Sequence, residues 1–444
     1  MPATTIPPTS RRVAVASLIG STVEWYDFFI YGTAAALVFN GLFFPEFSPV
    51  AGTLLSFATF AVGWLARPLG GVIAGHFGDR VGRKQMLVFT LLLMGLSTTL
   101  IGLLPTYDTI GVAAPVLLVV LRILQGFAVG GEYGGGVVMA FEHSPAGRRG
   151  LWACWPQMGV PLGLIVGTVV FLAIGVLPDD QFFAWGWRIP FLVSIVLVVV
   201  GLFIRLGVTE SRTFTETKSR GEVVRSPLAE VLRRHPRQVV LLILAHMGPN
   251  TFFYTFATFV LSYATATLGF DRTTVLLAVA IGAAVEVVAM PLFAILSDRI
   301  GRRPVYVTGL IVLAATAVPF FWLLDQRSAP LLVVALAVAF GLAHGSVYGT
   351  QPSFFAELFP APVRYTGLSL GVQVAGALFG GPLPMIATAL VSFQSGRPWV
   401  FAGYMMLTAV ISAVAAALAP DAVALERRTG ARRDEDVDAA TTSA

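Results

Sequence analysis

Residues 75–84 read Gly75-His76-Phe77-Gly78-Asp79-Arg80-Val81-Gly82-Arg83-Lys84 and lie between two long apolar segments. The Asp-Arg-x-Gly-Arg core of this loop recurs at residues 298–302, an offset of 219 residues in a chain of 444. Seven further residues recur at an offset of 215, namely Gly126, Gly130, Tyr133, Gly134, Glu142, Pro145 and Arg149, matched by Gly341, Gly345, Tyr348, Gly349, Glu357, Pro360 and Arg364. The repeats predict two halves of similar build.

The composition predicts a membrane protein. Hydrophobic residues make up 56% of the chain and charged residues 12%, with a mean hydropathy of +0.80, whereas soluble proteins carry about 25% charged residues. A hydrocarbon core about 30 Å thick needs about 20 apolar residues per helix. Twelve segments are that long, at residues 13–39, 51–76, 85–104, 112–142, 150–177, 187–206, 238–267, 273–296, 304–324, 330–356, 363–392 and 398–419. We predict an all-α membrane protein of twelve transmembrane helices in two pseudo-symmetric six-helix bundles, a repeat organisation typical of transporters.

Polar segments divide the chain into five predicted parts. These are a cytoplasmic N-terminus at 1–12, an N-terminal bundle at 13–206, a cytoplasmic linker at 207–237, a C-terminal bundle at 238–419 and a cytoplasmic tail at 420–444. The tail has mixed charge and no heptad pattern, so we expect it to be disordered. In the linker, Ser226-Pro227 is the predicted start of a short amphipathic helix on the cytoplasmic surface.

The positive charge is sorted by side of the membrane. Of the 29 basic residues, Arg188, Arg272, Arg327 and Arg397 fall on one side, Arg67 and Arg122 lie within segments, and the other 23 fall on the opposite side. This positive-inside pattern predicts a multi-pass protein of the cell membrane with both termini in the cytoplasm. It accounts for the net charge of +5 without a nucleic-acid partner.

Enzyme and metal motifs fail on their context. Residues 367–371 match the G-x-S-x-G pattern of hydrolases, but that pattern needs a strand-to-helix turn and this copy lies in the eleventh apolar segment. The single cysteine, Cys154, forms neither an internal disulfide nor a metal site, and we expect it to pack within the fifth segment. We predict no enzyme activity, no catalytic residue, no metal and no cofactor.

The repeated loop resembles the signature of the major facilitator superfamily, with Ala294 replacing the usual first glycine in the second copy. Residues 122–130, with Arg122, Gln125, Gly126 and Gly130, resemble the sugar-porter branch. Residues 23–32 (Val-Glu-Trp-Tyr-Asp-Phe-Phe-Ile-Tyr-Gly) and 125–135 resemble the metabolite:proton symporters. That resemblance implies import of organic acids such as shikimate, aromatic acids or dicarboxylates, or of proline and betaine. Residues 33–40 look most like the shikimate carriers.

Proton coupling is predicted to involve Asp27, Glu24 and Arg122. Asp27 lies near the middle of the first segment and Glu24 one turn before it. An acid in the bilayer centre costs about 2.5 to 3.5 kcal/mol, so it faces a cavity or a partner. Arg122 is the natural partner, and the resemblance carries the proton-coupling roles to Asp27 and Arg122. The hypothesis is an ion pair whose protonation releases Arg122 to bind a substrate carboxylate; a purely structural ion pair is the alternative.

Seven residues are predicted to contact the substrate: Arg122, Gln157, Tyr31, Asn250, Tyr254, His344 and Tyr348. Gln157 stands where the sugar-porter branch places a cavity glutamine. Asn250 and Tyr254 lie four residues apart, which places them on one helix face, and His344 and Tyr348 repeat that spacing. Polar contacts between helices are the alternative role for these side chains. His246 and Glu286 are further intramembrane ionisable residues to which the sequence assigns no role.

The repeated loops and their neighbours are predicted to act as latches that hold the cytoplasmic ends together while the cavity faces outward. The predicted gating residues are Gly75, Asp79, Arg80, Arg83, Glu132, Glu142, Arg149, Asp298, Arg299, Arg302, Glu357 and Arg364. Carboxylates at helix ends accept charge-assisted hydrogen bonds from arginines or from the N-terminus of a neighbouring helix.

The predicted function is proton-coupled import of a small organic acid by alternating access, with the acid, protons and the lipid bilayer as partners and the monomer as the functional unit. Three alternatives remain open: a proline/betaine-type zwitterion symporter, a drug/proton exporter, and a receptor that binds the same acids without transport. The short unpatterned tail disfavours the betaine carriers, which typically add a coiled coil, and Arg122 disfavours cationic drugs.

Overall fold

The computed structural model describes residues 8–81, 83–130, 133–142, 144–145, 147–206 and 227–420. Within these ranges all regular secondary structure is helical. The predicted N-terminus before residue 8, most of the predicted linker and the tail beyond residue 420 lie outside them.

The first half contains six long helices, and each coincides with one of the predicted apolar segments. They are α1 (Pro8–Leu37), α2 (Pro49–Val81), α3 (Arg83–Leu103), α4 (Ala113–Val129, followed by Tyr133–Glu142), α5 (Arg149–Ile174) and α6 (Ile189–Leu206). Short helices at Phe39–Phe43, Tyr107–Ile110 and Asp179–Ala184 lie in the connections.

The second half repeats the pattern. Its helices are α7 (Pro236–Thr267), α8 (Arg272–Ile300), α9 (Arg302–Asp325), α10 (Ala329–Ala356), α11 (Arg364–Phe393) and α12 (Trp399–Leu418). The predicted amphipathic linker helix is confirmed at Pro227–Arg234. Gly301 separates α8 from α9 with a φ of +102°, a conformation open to glycine but strained for other residues, which explains the glycine of the second loop motif.

Eight described helices are long and apolar enough to cross a membrane: α2, α5 and α7 to α12. The remaining segments are also helical. Shorter apolar stretches lie at Val88–Leu103, Ala113–Val129 and Gly186–Val196, and α1 is 30 residues long. The predicted twelve-helix architecture is therefore confirmed.

Three helices of the second half contain π-helical turns, in which the backbone hydrogen bonds span five residues. These turns are Thr255–Phe259 and Tyr263–Thr267 in α7, Ala337–His344 in α10 and Gly376–Gly380 in α11. In the described residues of the first half no helix has such a turn. Such bulges occur frequently at functional sites.

Small residues allow the helices to approach closely. A Cβ atom on Gly126 of α4 would overlap the carbonyl of Gly63 on α2, and one on Gly130 would overlap that of Arg67. These two repeat-motif glycines therefore serve packing between α2 and α4. The two bundles meet along α1, α2, α4 and α5 on one side and α7, α8, α10 and α11 on the other.

Candidate functional site

Aromatic rings from both bundles meet in the centre of the molecule. The ring of Tyr254 on α7 lies 6.3 Å from Phe28, 5.9 Å from Phe60 and 5.7 Å from Trp64, measured between ring centroids. All four side chains are buried. The indole N–H of Trp64 has no hydrogen-bond partner among the residues that the structure describes. The predicted substrate residue Tyr254 thus lies at the contact between the two halves.

Arg122 of α4 reaches the same zone and is completely buried. Its guanidinium carbon lies 4.1 Å from the ring centre of Tyr31 and 4.6 Å from that of Phe28, at cation–π distance. Its Nη1 donates to Oε1 of Gln125 over 2.5 Å, whereas Nε and Nη2 have no hydrogen-bond partner among the described residues. Tyr31 donates its hydroxyl to Thr59 over 2.6 Å. Arg122 therefore presents two unused donors.

Asp27 does not form the predicted ion pair with Arg122. Its Oδ1 accepts from the Ser194 hydroxyl over 2.5 Å, and its Oδ2 lies 3.4 Å from Oγ1 of Thr98. Gln125 lies between the two charges, because its Nε2 donates to Oγ1 of Thr98 over 2.8 Å while its Oε1 accepts from Arg122. The acid and the arginine are linked through an amide and a hydroxyl rather than in contact.

The Thr98 hydroxyl has a single proton to donate. It lies 2.9 Å from the carbonyl of Met94 and 3.4 Å from Asp27, so the shorter bond to Met94 takes that proton. The contact with Asp27 is then favourable when a proton sits on the Asp27 carboxyl and is donated to Thr98.

Arg67 of α2 is a buried charge to which the sequence assigned only a place within a segment. Its guanidinium carbon lies 3.8 Å from the ring centre of Trp64, 4.5 Å from that of Phe28 and 5.1 Å from that of Trp25. Its Nε has no hydrogen-bond partner in the described part of the chain. Glu24 is buried on α1 and lies within electrostatic range of Arg67. The signal for Arg67 was its position inside an apolar segment.

Of the predicted substrate residues in the second half, Asn250 has an unused donor. It is buried, and no described residue forms a hydrogen bond with its Nδ2. Both ring nitrogens of His344 are engaged, with Glu286 over 2.6 Å and with the carbonyl of Pro249 over 3.1 Å. His344 therefore has no ring nitrogen left for a substrate in this structure. Tyr348 packs on His344 at 4.7 Å.

The other polar residues near the interface are also buried. Gln157 lies on α5 with full burial. His246 faces Oε1 of Gln351 at 3.1 Å, a contact within the second half. The predicted packing of Cys154 in the fifth segment is confirmed, since it is a free and buried cysteine.

At one end of the molecule, which we call the latch end, Asp298 joins the two bundles. Its carboxylate accepts from the backbone N–H groups of Gly150 and Leu151 over 2.9 and 3.1 Å, at the N-terminus of α5 where a helix dipole favours negative charge. Arg302 lies 2.6 Å from Asp298 and 3.3 Å from Glu357. A Cβ on Gly150 would lie 2.8 Å from the Ala294 carbonyl.

The remaining latch-end residues are only partly joined. Glu142 of α4 pairs with Arg364 of α11 over 3.0 Å, and Arg149 lies 5.3 Å from the ring centre of Phe141. Arg299 is exposed. Gly75, Asp79 and Arg80 lie in the last turns of α2 and Arg83 begins α3, but their side chains fall outside the described part, and Glu132 is not among the described residues.

The opposite end, which we call the far end, is also bridged. Arg272 at the start of α8 pairs with Asp179 over 3.3 Å and lies 3.8 Å from the ring centre of Phe182. Asp179 is 81% exposed, whereas Asp298 is 7% exposed. Contacts at both ends and in the centre describe a form in which the bundles are closed on each other.

Known proteins resemble this chain over nearly its whole length. The model of the Major Facilitator Superfamily matches residues 17–372 and 247–442. The shikimate transporter of Escherichia coli (strain K12) is 43% identical over 415 residues, which cover 93% of this chain and 95% of that protein. The inner membrane metabolite transport protein YhjE of the same strain is 42% identical over 392 residues, covering 86% and 89%.

A more distant relative is named for different substrates. The proline/betaine transporter of Salmonella typhimurium (strain LT2) is 33% identical over 420 residues, covering 91% of this chain and 82% of that protein. Among solved structures, a D-xylose-proton symporter superimposes with a TM-score of 0.71 at 19% identity, covering 92% of this chain and 98% of that chain. At this identity the likeness shows the fold alone.

Proposed function

Because the chain belongs to the major facilitator superfamily and is a multi-pass membrane transporter rather than an enzyme, we propose that it imports a small organic acid together with protons by alternating access. The observation that carries this proposal is Arg122. Its guanidinium is fully buried at the contact between the bundles, and in the part of the chain that the structure describes Nε and Nη2 have no hydrogen-bond partner. An unpaired buried charge is costly, so an anionic substrate that completes its hydrogen bonds is the best-matched ligand.

The groups around Arg122 favour a cyclic monocarboxylate with hydroxyl groups. Unused donors on Asn250 and Trp64 suit hydroxyl or carbonyl oxygens of a ligand. The rings of Phe28, Phe60 and Tyr254 suit the faces of a flat ring. The name of the 43% identical relative, a shikimate transporter, agrees with that chemistry, so a shikimate-like acid is the proposed substrate; an aromatic acid or a dicarboxylate is the next choice.

Asp27 is the proposed proton carrier. When Asp27 is protonated, Gln125 and Thr98 hold its neutral side chain apart from Arg122, and Arg122 is available to the substrate carboxylate. When Asp27 loses its proton, its carboxylate becomes a competing partner for Arg122 and favours release. The proton and the acid thus stabilise the same state, which is the condition for coupled transport.

The latch end is proposed to lie in the cytoplasm, together with both termini, since the basic residues are concentrated on that side. Asp298 and the pair of Glu142 with Arg364 hold this end shut when the cavity opens outward. The proposed location is the cell membrane, where a monomer is the functional unit.

A proline/betaine-type symporter is the second candidate, because one relative of 33% identity carries that name. A zwitterion would place its carboxylate on Arg122 and its cationic group on an aromatic ring. The two candidates differ in whether a positive group on the substrate is needed for transport.

The test is uptake into liposomes that contain the purified full chain, driven by an imposed inward proton gradient. Radiolabelled shikimate, an aromatic monocarboxylate, a dicarboxylate, betaine and a lipophilic cation are offered separately, and a protonophore serves as the control. Accumulation of an acid that the protonophore abolishes supports the proposal. Accumulation of betaine alone identifies the second candidate, proton-driven extrusion of the cation identifies an exporter, and acid binding without accumulation identifies a receptor.

A further inference from the structure

Three helices of the second half meet at a buried acid and histidine that proton coupling through Asp27 does not use. Glu286 of α8 and His344 of α10 are both completely buried. Nδ1 of His344 lies 2.6 Å from Oε1 of Glu286, and Nε2 lies 3.1 Å from the carbonyl oxygen of Pro249 on α7. The histidine therefore faces an oxygen atom at each nitrogen.

Counting protons shows that this pair holds one proton more than a neutral imidazole and a carboxylate together would. A backbone carbonyl can only accept, so the contact with Pro249 requires a proton on Nε2 of His344. In a neutral imidazole, Nδ1 is then an acceptor. The short contact with Glu286 requires a second proton, either on Nδ1 of the imidazole or on the carboxyl of Glu286. In both arrangements the pair binds one exchangeable proton and has no net charge.

The environment makes that proton necessary. Oε2 of Glu286 is buried and has no hydrogen-bond partner within the described ranges. If the pair lost its proton, a carboxylate would face the lone pair of Nδ1 on one oxygen and no donor on the other. Burying an unpaired charge in this way is strongly unfavourable, so loss of the proton requires the site to open.

Other ionisable groups face the pair from neighbouring helices. Cys154 on α5 and His246 on α7 lie within electrostatic range of Glu286 and His344 respectively, and Tyr348 packs on the imidazole from α10. On α9, Tyr306 donates to the carbonyl of Ala245 over 3.0 Å, which directs that group toward α7. Cys154 belongs to the first half, so Glu286 lies within electrostatic range of the other bundle.

The pair is connected to the proposed substrate zone through α7. The carbonyl that His344 binds belongs to Pro249, and the next residue is Asn250, whose Nδ2 is an unused donor. Phe253, one turn later, stacks on Tyr348 at 5.5 Å and contacts Phe29 of α1 at 5.6 Å. A change in the hydrogen bond from His344 to Pro249 would therefore shift groups at the contact between the halves.

We propose that Glu286 and His344 form a second proton-binding site, which takes up and releases one proton in each transport cycle. The inference rests on the proposed function, because it adds a proton to the one assigned to Asp27. Two protons carried with one carboxylate move one net positive charge inward, whereas one proton with one carboxylate moves none.

The first test measures the proton without any substrate. Infrared pH-difference spectra are recorded on the purified full chain in liposomes, between mildly acidic and mildly alkaline pH. We expect a carboxyl or imidazole signal that is lost in Glu286→Gln and in His344→Gln but kept in Asp27→Asn. Glu230→Gln on the surface helix is the matched control. A wild-type spectrum that is unchanged by both Glu286→Gln and His344→Gln overturns the proposal.

The second test measures the charge moved. Shikimate uptake is compared with and without an imposed potential, negative inside, and each net charge makes a potential of about 100 mV worth about 50-fold in accumulation. We expect the wild type to respond and Glu286→Gln to accumulate substrate with the pH gradient alone. If proton-driven uptake by the wild type does not change with the imposed potential, the proposal of a second proton-binding site is wrong. The import proposal is unaffected by that result. If no acid on the panel is accumulated, the import proposal fails, and the infrared result alone decides whether the pair exchanges a proton.

Discussion

The two bundles share one fold but differ in the charges that they bury. The first half buries two guanidiniums, of Arg67 and Arg122, and the acids Glu24 and Asp27, whereas the second half buries the Glu286–His344 pair. The repeat aligns Arg122 with Ala337, which has no charge. The repeat therefore preserves packing positions and the charged residues of the loop motifs but not the buried charges near the centre, and each half is suited to a different task.

The helices differ in the same way. Three of the four π turns of the second half lie next to the centre: one follows Tyr254, one ends at His344, and one ends at Gly380. A Cβ on Gly380 would lie 2.9 Å from the Tyr254 ring, so α11 and α7 are in close contact there. The first half thus carries its buried arginines on helices whose described residues contain no π turn. In the second half, the helices beside the proposed substrate contain π turns.

Arg122→Ala should have the largest effect on transport, because it removes the guanidinium that is proposed to bind the substrate carboxylate. Loss of charge-assisted hydrogen bonds worth about 1.5 to 3 kcal/mol should weaken the apparent affinity for the acid by about 10- to 150-fold. Substrate-dependent uptake kinetics measure this effect. Arg397→Ala, an exposed arginine in the connection before α12, is the control. An unchanged apparent affinity in Arg122→Ala would assign the substrate to another part of the molecule.

Asp27→Asn should separate transport from proton coupling. The amide cannot gain or lose the proton, so accumulation against a gradient should be lost, while exchange of internal for external substrate should continue. Both are measured in the same liposomes. Asp108→Asn, exposed in a short helix of a connection, is the control. Proton-driven accumulation by Asp27→Asn would remove the proposed role from Asp27.

The two ends of the molecule provide a third comparison. Asp298 is nearly buried and accepts two backbone N–H bonds, so Asp298→Asn should slow turnover more than it weakens substrate binding. Asp179 is 81% exposed, and exposed ion pairs contribute about 0 to 1 kcal/mol, so Asp179→Asn should change either quantity by less than about fivefold. Maximal rate and half-saturation, measured on both variants, test this. An Asp298→Asn variant that loses binding alone would contradict the latch.

The sequence was sufficient for the fold and the family. The loop at Asp79 and its copy at Asp298 located the two halves, and the length of the apolar segments located twelve helices, because both signals are local. The family match and the helical structure confirm these predictions. The relatives named as shikimate and metabolite transporters agree with the motifs of residues 23–32 and 125–135.

The contacts within the site could not be predicted from the sequence, since they depend on how helices that are distant in the chain are rotated about their axes. Asp27 and Arg122 were expected to be in contact, but Gln125 lies between them. The sequence indicated Gln125 only as one residue of the motif at residues 122–130. Glu286 and His344 lie 58 residues apart, and no spacing rule joins α8 to α10. The roles of the individual site residues remain predictions.

The smallest expected effects concern two buried tyrosine hydroxyls, one in each half. Tyr26 donates to the carbonyl of Pro190 over 2.8 Å, and within α6 that carbonyl also has the N–H four residues later as a donor. Tyr306 donates to the carbonyl of Ala245, which lacks its helical donor because residue 249 is proline. Tyr306→Phe therefore leaves a buried acceptor without a donor, a situation that membrane proteins avoid.

Hydrogen bonds between membrane helices contribute about 0.6 kcal/mol on average and about 1.7 at most. We expect Tyr306→Phe to lower the free energy of unfolding by an amount near the upper value and Tyr26→Phe by one near the average. Thermal unfolding of the two variants in the same detergent measures the difference. If Tyr26→Phe lowers the free energy of unfolding more than Tyr306→Phe does, the carbonyl of Ala245 has a donor other than Tyr306. The second half would then rely less on side chains to complete its backbone hydrogen bonds than its proline and π turns indicate.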